Sequence, residues 1–88
     1  MLEPHEFRAR LKRALADELD DAEVSAERGK ALNLLGSVVS PRFEGMDEGD
    51  RQQIVWMAIL DEFSPAEQEW IEFVYTDAPS ELTPESTS

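Results

Sequence analysis

The chain switches between two hydrophobic periods. Over Pro4–Leu19 the apolar side chains Phe7, Leu11, Ala14, Leu15 and Leu19 recur at three and four residues and form one helical stripe. Pro4 suits a first turn, and Glu3 and Glu6 lie at the positive end of the helix dipole. Asp20-Asp21 interrupts this pattern. Ala22–Arg28 then alternates, with Ala22, Val24 and Ala26 against Glu23, Ser25 and Glu27, which predicts a half-buried strand. Arg28-Gly29-Lys30 predicts a short hairpin turn. Ala31–Ser40 predicts a second, more apolar strand, with Leu32, Leu34 and Val38 against Leu35 and Val39. Gly36 reads as a bulge, and Pro41 ends the strand because proline cannot donate to a ladder.

Phe43–Gly49 reads as a loop, and Asp50–Phe63 as a helix capped by Asp47 or Asp50. Its run Ile54–Leu60 is apolar at all seven positions. That predicts the most buried element, with Trp56 and Leu60 on one line and Val55 and Ile59 on the next; Trp56 and Trp70 are expected in the core. Ser64-Pro65-Ala66-Glu67 has the form of a capping box opening a one-turn helix. In Trp70–Thr76, Ile71, Phe73 and Tyr75 alternate with Glu72, Val74 and Thr76, which predicts a third strand. Asp77–Leu82 can start one more helical turn, and the polar stretch Thr83–Ser88 reads as a frayed tail. The predicted order is α-β-β-α-(short α)-β-(short α). It implies an α+β two-layer sandwich, a three-stranded sheet with helices on one face, as a single domain over residues 1–82.

Charge narrows the function. Twenty acids against eight bases give −12, and residues 44–88 hold a single base, Arg51. Such a surface repels phosphate, so neither nucleic acid nor an anionic membrane is an expected partner. Arg8, Arg10, Lys12 and Arg13 form the one cationic patch and read as a solvated helix face. With no cysteine, disulfides, thiolate metal sites and cysteine nucleophiles are excluded. His5, near a terminus, has no serine and acid placed around it as a triad requires. Acid pairs such as Asp61-Glu62 are expected by chance among twenty acids. The expectation is a protein that is not an enzyme and holds no cofactor or metal. No apolar leader segment is visible in Met1–Leu15, and no run approaches the ~20 residues that span a bilayer, so a cytoplasmic chain is expected.

One set of residues resembles the BolA family: Val38-Val39-Ser40-Pro41-Arg42-Phe43-Glu44-Gly45, then Arg51, the apolar helix, Ile71–Thr76 and Pro79-Ser80-Glu81. The resemblance runs from Val38 to Glu81. It implies an α-β-β-α-β-α fold related to class II KH domains, and a monothiol glutaredoxin as protein partner, often with a shared [2Fe–2S] cluster. The family's ligand histidine falls on Gln52 here, where Arg51-Gln52-Gln53 stands in place of Arg-His-Arg. An amide is a poor iron ligand. The second family ligand lies between the first two strands, where this chain has Arg28-Gly29-Lys30, without Cys or His. Nor does Gly45-Met46-Asp47-Glu48-Gly49 match the Gly-x-x-Gly loop with which KH domains grip a backbone. The resemblance therefore implies an adaptor that binds protein through Arg42, Phe43, Glu44, Gly45, Arg51 and Gln52 and supplies no metal ligand. A rival reading is an acidic antagonist that imitates nucleic acid on a basic protein surface. Monomer or weak homodimer is expected, with Glu23, Glu27 and Glu72 guarding strand edges.

Overall fold

The computed structural model describes residues 1–31 and 33–82. Leu32 and the expected tail Thr83–Ser88 lie outside the described residues. The order of elements is helix α1 (Pro4–Ala14), strands β1 (Glu23–Arg28) and β2 (Leu34–Val39), a 3-10 turn at Pro41–Phe43, helix α2 (Glu48–Glu62), a short helix α3 (Pro65–Gln68), strand β3 (Ile71–Asp77) and a 3-10 turn at Pro79–Leu82. The sheet runs β1-β2-β3. β1 and β2 are antiparallel, whereas β2 and β3 are parallel and joined through α2. Both long helices pack on one face, giving the expected two-layer α+β sandwich. Phe7, Leu11, Leu15, Leu34, Val38, Phe43, Val55, Ile59 and Val74 fill the space between the layers.

Several local expectations change. α1 ends at Ala14 rather than Leu19. Lys12 and Arg13 complement its negative end, whereas Asp17 and Glu18 in a further turn would oppose the dipole. Leu15 and Leu19 still reach the core, from a turn closed by Leu19 N–H donating to the Leu15 carbonyl at 2.6 Å. The connection between β1 and β2 is longer than a tight hairpin and is closed by Gly29 N–H on the Asn33 carbonyl at 2.7 Å. α2 starts at Glu48, and Asp47 takes the cap position without a side-chain cap bond. α2 is not buried all round. Val55 and Ile59 are fully buried, but Met57 and Leu60 are 62% and 61% exposed. A two-layer domain covers only one side of a helix. Trp56 and Trp70 are half-buried against the core rather than inside it.

The bulge is not at Gly36, which pairs in regular register with Ala26 and Val74. It lies in β3, where Leu34 and Leu35 face Ile71 and Phe73 and leave Glu72 as the extra residue. The bulge breaks the expected alternation. Ile71, Val74 and Thr76 are buried, while Phe73 and Tyr75 stand on the open face of the sheet. Gly36 is needed for another reason. A Cβ there would lie 2.9 Å from Phe7 Cε2, and Phe7 is completely buried.

Candidate functional site

The bulge in β3 organises the end of the sheet that carries the six residues singled out in the sequence, Arg42, Phe43, Glu44, Gly45, Arg51 and Gln52. Ser40 N–H donates to the Asp77 carbonyl, so Asp77 faces β2. By strand alternation the carbonyls of Val74 and Thr76 then face outward, along an edge with no further strand among the described residues. Adjacent residues of α2 cover that edge. Gln52 Nε2 donates to the Val74 carbonyl at 2.9 Å, and Arg51 Nη1 to the Thr76 carbonyl at 3.3 Å.

Arg51 is buried and uses its whole guanidinium fork. Nε donates to the Met46 carbonyl at 3.0 Å, and Nη2 to the Phe43 carbonyl at 2.9 Å. Both terminal nitrogens grip the Glu81 carboxylate, at 2.8 and 2.6 Å. The guanidinium lies 5.6 Å from the centroid of the Phe43 ring, which is itself fully buried. Hydrogen bonding to Arg51 holds the Glu81 carboxyl at about 2, well below its usual range. Glu81 also accepts from Ala78 N–H at 3.0 Å, so the Pro79–Leu82 turn is tied to the start of α2.

Gln52 is equally committed. Its amide nitrogen also reaches Glu48 at 3.0 Å and the Thr76 hydroxyl at 3.2 Å, and its oxygen accepts from the Trp56 indole at 3.0 Å. The Thr76 hydroxyl donates to Glu48 at 2.6 Å, and this bond, with that from Gln52, lowers the Glu48 carboxyl below its ordinary value. Glu48, Gln52 and Trp56 follow one another at four-residue spacing, which puts them on one line of the helix.

The remaining site residues sit on the turn before α2. Ser40 accepts from Arg42 N–H at 3.1 Å and fixes the Pro41–Phe43 turn. Glu44 accepts from the Ser80 hydroxyl at 2.8 Å. Gly45 has φ of 73°, a left-handed conformation that glycine adopts without strain. Arg42, Glu44 and Gly45 are exposed; Phe43 and Arg51 are buried. The six predicted residues thus come together as two sets. Arg42, Glu44 and Gly45 face solvent. Phe43, Arg51 and Gln52 hold that surface in place, so any contact through the Phe43 ring would require this turn to open.

Beside this surface lies a shallow cleft of about 310 Å³ lined by Val39, Pro41, Pro79 and Leu82, with Asp21 and Glu23 at its rim. Leu82 is 53% exposed. Sequence reading did not single out Leu82 as a surface residue, and its only signal was an apolar side chain in an otherwise polar C-terminal stretch.

The residues present do not fit an iron–sulfur cluster. Gln52 has all of its polar atoms engaged, and the described residues hold no group of three His, Cys, Asp or Glu side chains able to bind a metal. Nor is any helix among the described residues long and apolar enough to cross a membrane.

Neither the protein-family models nor the curated proteins provide a match to this chain. Solved structures do. A bolA protein homologue from Coxiella burnetii is 25% identical, with a TM-score of 0.66 over 92% of this chain and 96% of that one. The BolA domain of SufE1 from Arabidopsis thaliana is 19% identical, with a TM-score of 0.63 over 93% and 100% of the two chains. BolA1 from the same plant is 21% identical, with a TM-score of 0.59 over 84% and 93%.

Proposed function

We propose that this chain, a BolA-like protein by its fold, works as a non-enzymatic adaptor that docks a protein partner at the exposed turn Arg42–Gly45 and the adjoining cleft. The observation that carries this reading is the rigid mounting of that turn. Arg51 ties the carbonyls of Phe43, Met46 and Thr76 to Glu81, and Glu44 ties the turn to Ser80. A surface held in this way binds with little ordering cost. Nothing in the arrangement resembles an acid, base or nucleophile aimed at a reacting atom. The resemblance to the BolA family points to a monothiol glutaredoxin-type protein as the partner, and the bonds of Gln52 to Val74, Thr76, Glu48 and Trp56 support docking without a cluster ligand from this chain.

The test is calorimetry and visible absorption with a monothiol glutaredoxin, both apo and loaded with [2Fe–2S]. The expected result is binding that leaves the cluster spectrum unchanged and that Arg42→Glu with Glu44→Lys weakens. Absence of binding to either form would sink the reading and favour the acidic antagonist. A spectral change lost in Gln52→Ala would sink the claim that Gln52 is no ligand.

A further inference from the structure

Among the described residues, the outer part of the α2 side turned away from β3 is left open beside α1. Ile54, Met57 and Ala58 meet Ala14 and Leu15 in a groove of about 450 Å³, with Glu18 and Asp61 on its walls. Positions 54, 57, 58 and 61 share one helix face. Met57 and its neighbour Leu60 are the most exposed large apolar side chains of α2, though the same helix buries Val55 and Ile59 completely. A soluble domain does not need such a stripe for folding, and contiguous exposed apolar surface points to a contact.

The acids here, like Asp17, Asp50 and Glu69, lack the partners that several other carboxylates of the chain have. Glu62, Glu67, Glu48, Glu81 and Glu44 are all hydrogen-bonded within the chain. Among the described residues, Glu18 and Asp61 make no side-chain hydrogen bond and no ion pair. Two unanswered carboxylates beside an apolar trough call for cations on whatever fills it.

We propose that this groove docks an amphipathic helix of a partner protein, apolar along one stripe and bearing lysine or arginine where it passes Glu18 and Asp61. A third helix laid over α1 and α2 would bury Met57 as helix-in-groove contacts do. A second copy of this chain is the wrong occupant, because it would bring the same acids against Glu18 and Asp61. The groove is on the α1 side of α2, away from Gln52, and it stands or falls independently of the glutaredoxin reading.

The probe is a synthetic helix about five turns long, with leucine at heptad positions a and d and lysine at e and g, titrated into the ¹⁵N-labelled full chain. Saturable amide shifts should centre on Ala14, Glu18, Ile54, Met57, Ala58 and Asp61. Met57→Gln should weaken binding about tenfold, and the double variant Glu18→Gln, Asp61→Asn should do so at low salt and less at high salt. Both changes are at groove or surface positions, and an unchanged amide spectrum elsewhere certifies the fold. A control peptide with glutamate for lysine should not bind. Four outcomes overturn the proposal: no binding, shifts spread over the acidic surface and indifferent to Met57→Gln, shifts centred on Phe73 and Tyr75, or self-association that Met57→Gln removes.

Discussion

Arg10 and Arg51 make the same number of hydrogen bonds for different ends. Arg10 joins the helices. Its guanidinium reaches Glu6 and Glu67 through Nη1, Glu67 and the Glu62 carbonyl through Nη2, and the Glu62 carboxylate through Nε. It lies over the Phe63 ring at 4.4 Å. Arg51 joins backbone, with three carbonyls and one carboxylate as partners. Their side chains are 21% and 8% exposed. The difference lies in what each leaves behind when removed. Glu6, Glu62 and Glu67 can take water in place of Arg10. The carbonyls of Phe43 and Thr76 are bonded in a buried setting and have no such substitute. Arg10 therefore trims stability at the edge of the helix layer, and Arg51 decides whether the end of the sheet that carries the Arg42–Gly45 turn exists.

The largest effect should come from Arg51→Lys. Lysine keeps the charge but offers three donors without the planar fork. Thermal unfolding by circular dichroism should show a Tm loss on the order of 15 °C. Arg10→Lys should lose roughly 5 °C, and that loss should shrink in high salt, because part-exposed pairs are screened. Equal losses at the two positions would erase the distinction. Gly36→Ala calibrates both, since it tests buried packing without charge. Its new methyl meets Phe7 at 2.9 Å and cannot push that ring toward solvent, so it should cost about 1–3 kcal/mol by urea unfolding. A smaller value would mean that the centre of the sheet yields, and that Arg51 is not held as firmly as its bonds suggest.

The contrast also explains how much the sequence reveals. Element order, both helices and the capping box of Ser64 and Glu67 follow from local patterns, because each depends on neighbours within a turn or two. The BolA-like fold was legible from Val38–Gly45, Arg51 and Pro79–Glu81 in order. The bulge at Glu72 was not, since period-two alternation continues through it and only the pairing with Leu34 and Leu35 exposes the slip. That slip moved Phe73 and Tyr75 outward and turned the Val74 and Thr76 carbonyls toward α2. The roles of Arg51 and Gln52 depend on it, so sequence placed both at the site but could not say that they serve as internal fasteners. The basic patch shows the same limit. Arg10 reads as a solvated cation on helical spacing, whereas its partners Glu62 and Glu67 lie more than fifty residues away in sequence.

Acid should reveal the smallest difference between the two arginines. Glu67 beside Arg10 and Glu81 beside Arg51 are each held at about 2, against an ordinary value of 4.5. A carboxyl lowered on folding stabilises the native state fully above its unfolded value. That stabilisation is lost as pH falls from about 4.5 toward 2. Both clusters should weaken over the same window even though one is wetter than the other. Protonating the remaining acids relieves the repulsion of a chain carrying −12 and partly offsets the loss, so whole-chain stability is a blunt readout. Side-chain carboxyl chemical shifts resolve the two sites. Glu67 and Glu81 should both titrate near 2 in the unmodified chain. In Arg10→Lys, Glu67 should move up toward its ordinary value while Glu81 stays in place, because the two clusters share no residue. If Glu81 moved as well, the clusters would be coupled through α2 and could not be treated as independent fasteners.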